Sequence, residues 1–513
     1  MSPLAPRGAC LALLLVACRD VDVPMPIPPP IARPARVSGA SPFAPGCSAP
    51  GPGTRYPDSE VEPHLAIDPL NPDHLVAAWQ EDRWSTGGAD GLVAGASLDG
   101  GATWILAPLA FSTCGGGAAP GGDYERATDP WLSFSPDGAV VHAVGLAFDG
   151  SSARNAIVAT RSTDGGVTWE AARVLAEDAD LDVALDKPTL TADPGRAGVV
   201  YAVWDRLTGL LSDPSASTGP AWLARSTDGG VTWEAPRVLH DPGLGAQTIA
   251  SQIVVLPDGA LVSVFVRIAG EGTRQVAMDV VASRSADGGA TWTGPVLVNT
   301  LGAIGAVDGK TGRPIRAGEV VPSSAVDGSG RVWVAWQDAR FSGGARDGIA
   351  LAVSGDGGVT WSAPVQANRE PRAQAFRPAV GTAGGTVAVT YYDLRYDLPQ
   401  DETHTWATVF RAETVDGGVT WAEVPEGGPF DLRTTPDAGG WFVGDYTGLL
   451  PRRAAFEAVF SMGSSPLGPG THVFASAAAG AVPAASALQA PQVNATPLPL
   501  EERLRAIREV RPR

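Results

Sequence analysis

STDGGVTW occurs twice without change, at 162–169 and at 226–233. Near copies complete a series of six: SLDGGATW at 97–104, SADGGATW at 285–292, SGDGGVTW at 354–361 and TVDGGVTW at 414–421. Successive copies start 59 to 69 residues apart. Recurrence at such a period signals one supersecondary unit stacked many times. The Asp can accept hydrogen bonds from nearby backbone N–H groups, and the two Gly accept positive φ without a Cβ clash. Apolar alternation flanks the box, as in GLVAGASLDGGATWILAPL at 91–109. This predicts a hairpin between antiparallel strands, with the Thr and Trp opening the second. A further strand pair lies upstream of each box, for example KPTLTADPGRAGVVYAVWDR at 187–206.

Four strands in roughly 60 residues, repeated in series with no helical period, predict an all-β fold: a β-propeller of four-stranded blades, whose edges are short and protected. The first strand of each unit aligns on a residue seven positions before the Pro or Gly of the following turn. Glu62, Asp129, Lys187, Ala250, Val321, Arg377 and Gly444 then coincide, giving seven first strands against six boxes. Seven blades follow if a strand near 37–55, or one after 480, completes the last. Six blades is the alternative.

The chain has 513 residues, 63 Gly, 45 Pro and a formal net charge of −18. Such an acidic surface argues against nucleic acid and anionic membrane as partners. MSPLAPRGACLALLLVAC opens with one Arg, a short apolar core and small residues before Cys18, the pattern of an export signal over 1–17 that is too short to span a bilayer. Residues 18–54 read as an arm beginning with the Pro-rich spacer VDVPMPIPPPIARPAR, extended and semi-rigid. The propeller is expected over 55–480. The tail 481–513 carries a short helix in which Leu500, Leu504 and Ile507 share a face. Cys47 and Cys114 either form one disulfide tying the arm to the first blade or remain two thiols.

LVAC at 15–18 resembles a bacterial lipobox. The resemblance implies cleavage before Cys18, lipidation of its thiol and a place in the bacterial cell envelope; an ordinary secretory signal is the other reading. The pattern S-x-D-G-G-x-T-W resembles the Asp box of the sialidase and BNR-repeat superfamily over about 55–475. That superfamily includes xyloglucanases, sortilin-like receptors and photosystem assembly factors, so the box identifies a fold rather than a chemistry. The resemblance implies that it joins the third and fourth strands at the rim, on the face opposite the active site. Asp99, Asp164, Asp228, Asp287, Asp356 and Asp416 are then structural, since one active site has no use for six identical acids around a ring.

In a propeller the start of the innermost strand and the end of the second open on the same face. The innermost starts supply Glu62, His64, Asp129, Trp131, Lys187, Gln252, Arg377 and Tyr446. The second strands end in a recurring acid–base pair: Asp82 and Arg83, Asp205 and Arg206, Asp338 and Arg340, Asp393 and Arg395. These pairs either line a pocket for sugar hydroxyls and carboxylates or bond one another. Resemblance to sialidases implies three Arg holding a substrate carboxylate, a Tyr nucleophile activated by Glu, and an Asp acid/base.

AFRPAV at 375–380 echoes the family's FRIP motif only in part, and EPHLAI at 62–67 has an acid where an Arg is needed. On that template the catalytic candidates are Tyr446, with Tyr392 as substitute, Glu319 and Asp338. The substrate-binding candidates are Arg377, Arg126, Arg206, Arg340, Arg395, Glu62 and Lys187. Two functions remain: an envelope-anchored, monomeric sialidase-like hydrolase or glycan binder, and a non-catalytic propeller that binds a protein partner.

No cofactor is expected, with calcium as the alternative. DADLD at 178–182 alternates acids but lacks the Gly and closing Glu of a calcium loop. The six His show no zinc spacing, and G-x-S-x-G is absent.

Overall fold

The computed structural model describes residues 34–48, 51–209, 216–270, 276–463 and 470–476. The signal segment, Cys18 and the helix expected in the tail lie outside the described residues. Among the described residues no helix is long and apolar enough to cross a membrane.

Strands Val61–Ile67, Leu75–Trp84, Ala89–Ser97 and Ile105–Leu109 pair antiparallel in that order. The pattern recurs along the chain. Its innermost strands are Val61–Ile67, Arg126–Phe134, Val183–Ala192, Ala246–Val255, Ser323–Val326, Ala375–Ala383 and Gly448–Arg452. Each contacts the next, and the last contacts the first, so the described strands form a closed propeller of seven four-stranded units. The seventh unit is completed from the N-terminal arm: Ala35–Arg36 pairs with Thr471–Ala475, and Val37 N continues the ladder to Val473 O at 2.8 Å. The closing strand therefore starts just upstream of 37–55, and part of the arm belongs to the ring. Packing near the axis is tight, since a Cβ on Gly448 would lie 2.8 Å from Leu65 N.

All six boxes follow a third strand, and their bonds are the same. In the second unit Asp164 Oδ1 accepts from Ser162 Oγ (2.7 Å) and Thr168 N (2.9 Å), and Oδ2 accepts from Thr168 Oγ1 (2.5 Å). Asp99, Asp228, Asp287, Asp356 and Asp416 repeat this pattern, with Thr414 replacing Ser in the last. Several corners are also gripped by the preceding unit through a glycine carbonyl. His74 lies 2.9 Å from Gly165 O, Arg161 donates to Gly229 O (3.1 Å), Arg225 to Gly288 O (3.0 Å) and, across the closure, Arg452 to Gly100 O (3.1 Å). The boxes are scaffolding.

At the other end of the innermost strands the register shifts by a bulge, between Val61 and His64, Thr128 and Trp131, Asp186 and Thr189, Ile249 and Gln252, and Phe376 and Ala379. The bulge residue is left-handed: φ is 55° at Glu62, 53° at Asp129, 45° at Lys187, 60° at Ala250 and 53° at Arg377. Gly444 takes φ 110° at the aligned position of the seventh unit. For L-residues this conformation costs on the order of 1–2 kcal/mol each. A bulge re-aims a side chain, and here it turns one residue of each bulged strand toward the axis.

Two connections depart from the repeat. Ala306–Val307 pairs with Pro314–Arg316, which runs parallel to Trp441–Phe442. This small sheet links the connection before the fifth unit to the one before the seventh. It brings Arg316, Phe442 and Asp445 to the hub.

Candidate active site at the hub

The bulges and the small sheet together build a charged centre. Lys187 Nζ lies 2.9 Å from Asp129 Oδ1, 2.8 Å from Asp445 Oδ2 and 3.8 Å from Glu62 Oε1. Arg316 grips Asp445 with two bonds, Nη2 to Oδ2 at 2.7 Å and Nε to Oδ1 at 3.2 Å. Glu62 accepts from Asp445 N at 3.1 Å and from Gln80 Nε2. The Phe442 ring carries two guanidinium groups, Arg83 at 4.9 Å and Arg316 at 4.7 Å from its centroid. Arg377 donates to Gly444 O (2.9 Å) and stacks on Tyr392 at 3.9 Å. Tyr446 donates to Pro130 O (3.0 Å) beside the stacked rings of Trp131 and His64.

Burial sets these groups apart electrostatically. Glu62 is driven up to about 8 by burial, against the pull of Lys187. Burial also acts on Asp445, but Arg316 and Lys187 outweigh it and hold that carboxyl well below the usual range. Lys187 is raised well above an ordinary lysine, because Asp129, Asp445 and Glu62 overcome its desolvation. Burial, then the charge of Arg316, lowers Arg83 to about 10. Two neighbouring carboxyl groups thus differ in character: Glu62 keeps its proton near neutrality and Asp445 does not.

The centre forms the floor of a cavity of about 150 Å³. Glu62, Arg83, Asp129, Lys187 and Arg316 line its polar side, Leu146, Phe148, Leu185, Leu207 and Ile249 its apolar side, and Asp149, Arg154 and Asp180 are among its remaining polar residues. Arg83 Nε and Arg316 Nη1 are buried there with no acceptor among the described residues, and Arg377, outside the cavity lining, leaves Nε and Nη2 in the same state. A buried donor left unpaired costs about 1–3 kcal/mol, so this floor is built to receive acceptor oxygens.

Of the residues singled out in the sequence, Glu62, Asp129, Lys187, Arg377 and Tyr446 meet at the hub. Four arginines do not. Arg126 stacks on Trp84 and donates to Gly87 O, and Arg206 pairs with Asp178 at 2.7 Å. Arg340 bonds Asp338 and Thr300 O, and Arg395 bonds Asp393 and Glu423. Asp338 is held below the ordinary range by Arg340 and backbone N–H groups despite its burial. Glu319 is buried next to Val320 and Val321, which share an apolar cluster with Tyr446. Within DADLD, Asp178 is taken by Arg206, and Asp180 Oδ1 accepts from Asp182 N. Cys47 and Cys114 are joined as a disulfide, Cα–Cα 5.1 Å, tying the arm to the first unit.

Sequence reading missed the roles of Arg83, Arg316 and Asp445. Arg83 was visible in AWQEDR as one of a repeated pair, yet its acid bonds elsewhere, Asp82 to Arg55 and Ser41. Arg316 and Asp445 sit in connections outside the repeat. The only signal was GDY at 444–446, where most units have Pro after the aligned residue.

Asp-box corners on one face and a polar hub on the other define a β-propeller of the Asp-box class. The chain belongs to the BNR repeat-like domain family, whose model matches residues 73–389. No curated protein matches it in sequence. Similar solved structures include a protein of unknown function from Dyadobacter fermentans, 16% identical with a TM-score of 0.43 over 68% of this chain and 93% of that one. An α-L-arabinanase from Penicillium chrysogenum in complex with arabinobiose is 13% identical, with a TM-score of 0.44 over 87% of this chain and 98% of that one. A sialidase from Trypanosoma rangeli in complex with sialic acid is 13% identical, with a TM-score of 0.40 over 69% of this chain and 54% of that one.

Proposed function

We propose that the hub cleft binds a glycan and hydrolyses a glycosidic bond. The observation that carries this reading is the pair of unpartnered buried donors, Arg83 Nε and Arg316 Nη1, in a cleft floor that also presents Glu62 and Asp129. The two guanidinium groups bind a hydroxyl or carboxylate of the sugar, and Phe148 and its apolar neighbours take a face of the ring. Glu62, protonated near neutrality, gives its proton to the leaving oxygen. Asp129, which burial pushes above the ordinary carboxyl range against the pull of Lys187, faces the sugar and stabilises positive charge at the anomeric carbon, to which a water molecule then adds.

The exo-α-sialidase form of this reading is favoured by Arg83, Arg316 and Arg377, which gather around Phe442 and Gly444 and can hold a sugar carboxylate. In that form Tyr446 is the candidate nucleophile. A panel of fluorogenic sialosides and neutral glycosides tests both. Release from sialosides that is lost in Arg316→Met supports the acidic-sugar form. Release only from neutral glycosides removes it, and no release from any substrate leaves a non-catalytic propeller.

We also propose that the domain is held at the bacterial envelope by lipid on Cys18, on the strength of LVAC and the Pro-rich spacer. Cys18→Ala is expected to move the protein from the envelope fraction to the soluble one.

A further inference from the structure

The ring closes where the N-terminal arm, the first unit and the seventh unit meet, and carboxylates crowd that seam. Asp58, Glu81 and Asp82 each place an oxygen within 4.8 Å of the others. Oxygens sharing one cation at about 2.3–2.6 Å have such mutual spacings. Asp82 is partly neutralised, with Arg55 Nη2 and Ser41 Oγ each 2.8 Å from Oδ2. Glu81 is not: Oε2 accepts from Trp79 Nε1 at 2.9 Å, while Oε1 has no partner among the described residues although the residue is 1% exposed.

A second observation comes from outside this trio. Glu60 is 0% exposed and lies close enough to Glu81 for their charges to repel. Its Oε2 meets His472 Nδ1 at 2.7 Å, but Oε1 has no hydrogen-bond partner among the described residues, and the Arg36 guanidinium stands off at 3.9 Å. Next to it Ser59 Oγ, equally buried, also has no partner among the described residues. Glu81 Oε1, a buried and orphaned oxygen of the trio itself, in a seam with more carboxylates than cations, calls for a hard cation with several oxygen ligands, and the orphaned oxygens of Ser59 and Glu60 follow Asp58 directly in the chain. Asp58 is exposed and gives such an ion a path from solvent.

We infer that Asp58, Glu81 and Asp82 form a calcium site that fastens the closure of the propeller. The ion joins three parts of the chain: Asp58 beside the arm, Glu81 and Asp82 on the first unit, and, through Glu60, whose N donates to Thr471 O at 2.9 Å, the seventh unit. It is separate from the hub cleft, and its role is structural.

Terbium provides the test, because fully buried Trp79 touches Glu81 and sensitises a lanthanide bound there. The purified protein is expected to give terbium luminescence that calcium displaces. Calcium at about 100-fold excess over its Kd should raise the Tm by about 3 °C over the chelator-treated protein. Glu81→Gln and Asp82→Asn should abolish both effects. No luminescence, a Tm indifferent to calcium and chelator, or a luminescence kept in both variants would each overturn the site. Should neither variant fold, limited proteolysis of the wild-type arm after Arg36 decides: cleavage several-fold faster in chelator supports the site, and equal rates overturn it.

Discussion

The two faces of this propeller use the same repeat in opposite ways. On the box face, the same bonds recur in six units, made by the same residues but for Thr414 in place of Ser in the last, and every box carboxylate is met by a hydroxyl and a backbone N–H. On the hub face, one backbone position recurs in the left-handed conformation, yet its residue changes from Glu62 to Asp129, Lys187, Ala250, Arg377 and Gly444. There the polar groups are buried, mutually dependent and partly unpartnered. Repetition of a side chain marks a load that each unit must carry for itself. Repetition of a backbone feature under changing side chains marks a frame on which one asymmetric site is assembled.

Glu62→Gln is expected to break the comparison most sharply. The amide keeps the bond to Asp445 N but has no proton to give, so kcat on a cleaved glycoside should fall about 10²- to 10⁴-fold. The far-ultraviolet spectrum should change little, and so should the Tm at about pH 5, where the folded wild type carries the neutral carboxyl that the amide mimics. A variant that keeps full activity would remove Glu62 from the chemistry.

The closure seam offers a structural counterpart of intermediate size. Arg452 bonds Glu457, Asp73, Pro72 O and Gly100 O, tying the seventh unit to the first. Arg452→Met keeps the stem and loses these bonds, and leaves Glu457, 5% exposed, without its cation. A loss of about 1–3 kcal/mol in urea unfolding is expected, with unchanged activity per folded molecule. Arg161→Met, in an interior unit, tests whether the closure is special. A loss as large there would show that every unit boundary is equally loaded.

How much of this was legible in the sequence follows the same division. The boxes, the strand period and the aligned positions were readable because they repeat, and Glu62, Asp129, Lys187 and Arg377 were found by register alone. What the register could not supply was direction. Asp338 and Arg340 look in sequence like Asp82 and Arg83, but the first pair bonds itself while Arg83 parts from its acid and turns to Phe442. Arg316 and Asp445 belong to non-repeating connections, and their meeting over 129 residues of chain is decided by a small parallel sheet too short to leave a pattern. The closing strand was expected in the right arm of the chain but slightly downstream of where it forms.

The last expected effect is one of sign, and it separates the faces by titration alone. Asp164 is held near 2 by the Thr168 hydroxyl and N–H and by Ser162. Its bonds therefore favour the fold above the unfolded carboxylate value near 4 and lose that effect as pH falls toward 2. Glu62 behaves in reverse. With its folded value near 8, the native state holds a proton that the unfolded chain releases near 4.5, so its contribution is complete below that pH and is lost as pH rises through 8. Stability profiles of Asp164→Asn and Glu62→Gln, each compared with wild type, should therefore diverge from it at opposite ends. The first should flatten the acid limb slightly, without touching turnover. The second should flatten the fall between about pH 5 and 8. If both variants alter the same limb, the two faces do not differ in the way their buried and exposed acids indicate.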